Sequence, residues 1–427
     1  MIDRSTPPPL RPFDIKDIAE PEKTVLDNGV PLYVFNSDAA DVTRIDLVFR
    51  GGRWDQTFPL QAVFTLRMLK EGTLHMDSST VAERLDFYGA WLDHYVTHSR
   101  SVLTLYSLNS YLPQTLDVLE QMVKEPAFDA DRLQTVIGMN IQRFVVNERR
   151  TDCKAQRRLM NVLFGEHHPE GHSLTIDDYK AIDVDMLKQF YTEYYRPANL
   201  TVCLSGHITD DCLRRVSAIF GTPFGKQTEG SSLHMWQPQT CKDKSFFVEK
   251  DDAQQSSVAM GLLTVGAGHP DFPKLRIAVT LLGGFFGSRF MSNIREKKGY
   301  TYGIGSSLIT YPTGNILFIA ADCSNEHAEP LIAEVYKEID RLQQEPVEQT
   351  ELDTVCNYMI GDSIRSVETA ISLVDVWIMN HEQIEQPDLF RRSVEAIGTV
   401  TPADIMRLAQ TYFSKEMLKE VVCGRKM

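Results

Sequence analysis

What this 427-residue chain lacks narrows its functions first. No apolar run approaches the ~20 residues that a membrane-spanning helix needs. Positive charge is in deficit: 44 Lys and Arg against 58 Asp and Glu leave a formal net charge of −14. That is the wrong sign for a nucleic-acid binder, which presents a basic face to phosphates. The seven cysteines are odd in number and include no C-x-x-C pair, which fits reduced thiols rather than a disulfide frame or a zinc ribbon. The opening, MIDRSTPPPLRPFDI, has neither the apolar core nor the small-residue cleavage site of an export signal. A cytoplasmic location is therefore expected. Apolar residues make up 43% and charged residues 24%, ordinary for a globular chain long enough to bury two cores.

What is present is a pattern written twice. MLKQFYTEYYRPANLTVCLSGHI closes the first half, and IMRLAQTYFSKEMLKEVVCGRKM closes the chain. Each passes from an amphipathic helix through an aromatic pair into an apolar strand ending on Gly206 or Gly424, 218 positions apart. Pro126 and Pro346, each in a link between two long helices, stand 220 apart. Agreement at independent points indicates a duplicated unit of roughly 200 residues. The intervening stretch is rich in Gly, Ser, Pro, Gln and Lys, as a surface linker is. The expected division is an extended lead over 1–22, a first domain over 23–222, a linker over 223–245 and a second domain over 246–427.

Within each half, strands come before helices. PLYVFN, RIDLVFR, WLDHYVT and SVLTLYSL are β-branched or aromatic runs, whereas TLDVLEQMVKE and RLQTVIGMNIQRFVVNE carry helical periodicity. Clustered strands followed by clustered helices predict an α+β fold, each domain a mostly antiparallel sheet of about six strands covered on one face by helices. Ser79 is the expected N-cap of the helix that runs to Gly89.

The stretch LLGGFFGSRFMSNIREKKGYTYG sets Arg295 and Tyr302 seven residues apart around Gly299. Read alone, the basic residues decorate a helix C-terminus, the Gly ends it and the Tyr begins a strand. Together with LDNGVPLYVFNSDAADVTRIDLVFRGGRWD and FYTEYYRPANLTVCLSGHI, however, it resembles the pitrilysin, or insulinase-type, metallopeptidases, over about residues 20–427. The resemblance implies that the chain forms half of a clamshell. It also implies an H-x-x-E-H zinc motif in the first domain, where two imidazoles on one helical face hold Zn²⁺ beside a Glu base. Further, it implies that Arg295 and Tyr302 contact a peptide substrate and its developing oxyanion.

The chain departs from that pattern. With Gly72 and Thr73 as anchor, the ligand positions fall on Val63 and Arg67 and the base position on Leu66. The stretch QAVFTLRMLKEGT holds no His. Val and Leu offer no lone pair, and Arg stays protonated and repels a dication. VIGMNIQRFVV, where the next ligand is implied, has no carboxylate, and Glu148 only follows it. No catalytic residue, metal or cofactor is therefore expected here, and zinc is expected only in a partner subunit. The resulting expectation is a non-catalytic, substrate-binding subunit that pairs with a zinc-bearing homologous subunit, or with itself, and binds unfolded peptides. Two alternatives remain: a scaffold or peptide-binding protein with no proteolytic role, and an independent metalloenzyme using His167, His168, Glu170 and His172. The second is weak from the outset, because Pro169 and Gly171 make FGEHHPEGHSL a loop without helical ligand spacing.

Overall fold

The computed structural model describes residues 18, 20–226 and 234–426. Most of the N-terminal lead and the middle of the linker lie outside the described residues. The first sheet contains β1 (Glu22–Val25), β2 (Pro31–Asn36), β3 (Val42–Arg50), β4 (Trp91–Val96), β5 (Arg100–Leu108) and β6 (Leu200–Gly206). Its spatial order is β1-β2-β6-β3-β5-β4, so the nearly all-buried β3 and β6 lie inside and β4 forms one edge. β7 (Ser245–Glu249), β8 (Gln255–Thr264), β9 (Thr301–Tyr311), β10 (Gly314–Ser324) and β11 (Lys419–Gly424) form the second sheet, ordered β7-β11-β8-β10-β9. Each sheet is antiparallel except for one pair, β2 with β6 and β7 with β11. The two short outer strands β1 and β7 escaped the sequence reading; four or five residues are too few for a period to register.

Helices cover one face of each sheet around a separate apolar core, giving two homologous α+β domains. The opposite face of each sheet is not bare. Helix Thr151–Phe164 of the first domain lays Ala155, Leu159 and Leu163 on the second sheet, against Ala259, Ile316 and Val421. Helix Ala370–Trp377 of the second domain lays Val374 and Trp377 on the first sheet, against Phe35, Val48 and Cys203. The exchange is reciprocal and follows the duplication, since Thr151 and Thr369 lie 218 positions apart. Two buried arginines reinforce it. Arg44 pairs with Asp46 at 2.9 Å and reaches Asp375 at 2.6 Å, while Arg100 meets Glu382 at 3.3 Å and Glu385 at 3.0 Å.

The helix Ser78–Phe87 corrects one expectation. Its N-cap is Asp77, whose carboxylate accepts the Thr80 N–H at 2.8 Å. Ser79 lies inside the first turn and donates its hydroxyl to Asp77 at 3.1 Å.

Candidate functional site

Val63, Leu66 and Arg67 stand on the helix Gln61–Met68, which packs beside the edge strand β4. Leu66 is buried in the first core, while Val63 and Arg67 are half-open. Arg67 donates through Nη1 to Asn140 Oδ1 at 3.0 Å, on the neighbouring helix Ala130–Asn147. Burial pulls this guanidinium below its ordinary value, with Arg143 and Arg132 acting in the same direction. Glu71, a nearby carboxylate, is already held by Arg132 at 2.6 Å. Glu148 is engaged by Arg157 and Lys154. His94, on β4, has its pKa lowered to about 4 by burial and by Lys70 and Arg67. It is therefore a neutral imidazole among cations at pH 7. A dication placed here would meet Arg67 and neighbouring positive charge with no set of lone pairs to hold it. The residues present do not fit zinc.

Sequence reasoning missed His94 and Asn140. A signal for His94 existed, because the strand period of two puts it on the same face as Leu92 and Val96. Asn140 carried none; its role depends on a neighbour 73 positions away.

Arg295 and Tyr302 are brought together on the second domain. Arg295 lies in the π-helical turn Met291–Lys297, which Gly299 ends at φ 66°. Its Nε donates to the Tyr302 backbone carbonyl at 3.0 Å, and its guanidinium lies 4.8 Å from the Phe286 ring centroid. No carboxylate pairs with it among the described residues. The Tyr302 side chain is 93% exposed and Phe286 64% exposed, so a phenol, an aromatic face and guanidinium donors share an open surface. A backbone bond and a ring contact hold Arg295 while leaving its terminal nitrogens free, a preorganised arrangement for an acceptor. Gly283 permits the close packing below: a Cβ there would stand 2.7 Å from Phe290 and from the Ser306 nitrogen.

The histidine loop does not form a comparable site. His168 is buried against Phe164, Trp54 and Trp236, and its Nδ1 accepts the Glu170 N–H at 3.0 Å. Glu170 is taken up by Arg53 and the Trp54 indole, and His172 sits between Glu166 and Asp178. Among the described residues, no group of three or more His, Cys, Asp or Glu side chains could hold a metal ion. Nor is any helix among them long and apolar enough to cross a membrane.

Comparison with known proteins places this geometry. Residues 61–172 match the family described as Insulinase (Peptidase family M16), and residues 181–359 match the Peptidase M16 inactive domain. Over 349 residues the chain is 22% identical to a Bacillus subtilis (strain 168) protein named uncharacterized zinc protease YmxG, covering 81% of this chain and 84% of that one. It is 26% identical over 340 residues to the Helicobacter pylori protein named non-peptidase homolog YmxG, covering 77% and 76%. Among solved structures, an M16 inactive-domain protein from Pseudomonas fluorescens superposes with a TM-score of 0.82 at 22% identity, covering 95% of this chain and 98% of that one. A Helicobacter pylori protease superposes with a TM-score of 0.83 at 17% identity, covering 95% and 100%. The duplicated α+β halves, the signature around Arg295 and both family matches agree: the chain belongs to peptidase family M16, the insulinase family.

Proposed function

We propose that this protein is a non-catalytic, peptide-binding member of its family, the substrate-holding subunit of a two-subunit peptidase whose partner carries the zinc motif. One contrast carries the reading. The helix at the zinc-motif position presents Val63, Leu66 and Arg67, whereas Arg295 displays its terminal nitrogens beside the exposed Tyr302 phenol. Loss of the ligands alone would suit a scaffold; retention of open oxyanion-type donors suits a surface that still meets substrate. The name of the Helicobacter pylori relative, a non-peptidase homolog, supports the first half of this reading. In the assembly, Arg295 and Tyr302 would grip an extended peptide while hydrolysis takes place on the partner.

The test is reconstitution with a homologous subunit bearing H-x-x-E-H, encoded in the same genome. Arg295→Ala is expected to lower peptide turnover by the pair on the order of 10²-fold, the scale of one lost transition-state donor, without changing assembly. A pair that forms but turns over normally with Arg295→Ala points to a scaffold. Turnover by the pure chain, abolished by a chelator and restored by zinc, overturns the proposal.

A further inference from the structure

The duplication relates the zinc-motif helix to a second place in the fold. Aligning Gly206 with Gly424 carries Thr201 to Lys419, and their strand partners are Val48 and Gly261, a displacement of 213. The same displacement carries Val63 to Arg276 and Arg67 to Thr280. Exposure agrees position by position. Over 62–68 only Val63 and Arg67 are open, and over 275–281 only Arg276 and Thr280 are open. Both helices pack beside the last strand of their sheet, β4 in one domain and β9 in the other.

The second copy of this place is a cavity of about 590 Å³ lined by Arg276, Thr280, Ser306, Thr310 and Ser363. Arg276 donates through Nη1 to Ser393 Oγ at 2.9 Å, and that hydroxyl donates onward to the Leu389 carbonyl at 2.7 Å. No carboxylate lies within ion-pair distance of Arg276 among the described residues. Asp375, on the cavity wall, is committed to Arg44. Asp362 lines the same cavity and only its field is felt. Protein crowding pushes the Arg276 pKa down, yet solvent reaches the side chain through the cavity. A guanidinium with unspent donors, open to a hydroxyl-lined space, is a receptor for a planar anion. Two aspartates on the same wall disfavour a dianion such as phosphate and leave a monoanionic carboxylate as the better match.

We propose that this cavity takes a carboxylate carried by an extended peptide that lies along the outer edge of β9, with Arg276 as its anchor. β9 ends its sheet, and its far edge has no strand partner among the described residues. Ser306, Ser307, Leu308 and Thr310 of this strand border the cavity, so a strand added there would run along the rim of the space that Arg276 lines. The proposal rests on the substrate-holding reading only in taking a peptide as ligand. It concerns the Ser306–Thr310 end of β9, whereas Tyr302, with Arg295 on its carbonyl, stands near the strand's other end.

Three N-acetylated, fluorescein-labelled octapeptides titrated into the full-length chain by fluorescence anisotropy provide the test. One carries an internal Glu and an amidated C-terminus, one carries Gln and a free C-terminal acid, and one carries Gln and an amide. A carboxylate-bearing peptide is expected to bind roughly tenfold to a hundredfold more tightly than the neutral one, the scale of a charge-assisted hydrogen-bonded pair. Whichever acid is preferred identifies its source as side chain or terminus. Arg276→Gln should abolish the preference and Arg276→Lys should restore part of it. Ser307→Trp, on the exposed face of β9, should obstruct the cavity without touching the buried helix, and covers the case in which Arg276→Gln fails to fold. Equal binding of all three peptides, or a preference that survives both Arg276→Gln and Ser307→Trp, overturns the inference. Arg295→Ala should leave the preference intact while lowering turnover in the reconstituted pair, so the two readings fail separately.

Discussion

Replacing Arg44 with Met tests how the two domains are fastened. Arg44 is 3% exposed and Asp46 is fully buried, with Thr104 donating its hydroxyl to the same carboxylate at 2.7 Å. From β3 the guanidinium also crosses to the Ile371 carbonyl at 3.1 Å and to Asp375 at 2.6 Å, both on the helix that walls the Arg276 cavity. Met fills most of the stem's volume, so the main loss is charge. Asp46 would be left buried with only a hydroxyl for company, a situation that costs about 3–5 kcal/mol. Burial already raises the Asp46 pKa and Arg44 opposes it, so deleting Arg44 raises it further. The sign of the pH effect follows: the folded variant then holds a proton where the unfolded chain, with Asp near 3.9, does not. Its stability falls as pH rises through that window and is recovered as pH drops. Urea denaturation at pH 7.5 and pH 5 should therefore show a larger deficit at the higher pH. Arg44→Met with Asp46→Asn, which keeps an acceptor for Thr104, should recover most of the loss. A deficit independent of pH, or a double variant no better than the single one, would refute the reasoning.

Three further outcomes are expected. His94, with a pKa near 4 against about 6.5 when unfolded, makes the unfolded chain the better proton acceptor between those values. Stability should thus decline by about 2 kcal/mol from pH 7.5 to pH 5 through this group alone, and His94→Gln should remove that component of the denaturation profile. Asp77→Ala, which deletes the observed cap of Ser78–Phe87, should lower Tm more than Ser79→Ala does; equal shifts would contradict the cap assignment. Rebuilding the motif as Val63→His, Leu66→Glu and Arg67→His should still give no stoichiometric zinc by calorimetry. Lys70, Arg132 and Arg143 remain nearby, and residues 136–146 supply no carboxylate.

What could be read in the sequence was whatever repeats locally or sits in a long, specific signature. The terminal strands ending at Gly206 and Gly424, the strand-then-helix order and the grouping of Arg295 with Tyr302 were all legible, because each is fixed by neighbours a few residues away. The helix exchange between domains was not. Ala155, Leu159, Val374 and Trp377 look like any amphipathic stripe until the opposite sheet is known. The same holds for Arg44, whose partner Asp375 lies 331 positions distant. Phe286 was hidden for a milder reason: an aromatic in LLGGFFGSRF gives no hint that a guanidinium will stack on it.

Arg276 shows most clearly how duplication turns an unremarked residue into a question. In the sequence it stands beside Lys274 in PKLRIAVTLL, and a helix of that composition is expected to snorkel its cations to water. The structure keeps it open on the cavity wall, with one terminal nitrogen bonded to Ser393. Two equivalent helix positions in two related domains, 63 and 67 in one and 276 and 280 in the other, each contribute one guanidinium beside an open strand edge: Arg67 at the second position, Arg276 at the first. Each guanidinium thus stands beside a strand edge of the kind an extended peptide joins. On the proposed reading, a fixed cation there attracts a carboxylate by charge and has no means of activating water. On that argument the two domains differ in what their cation is free to do, since Arg67 is tethered to Asn140 and ringed by other cations, while Arg276 faces an open cavity.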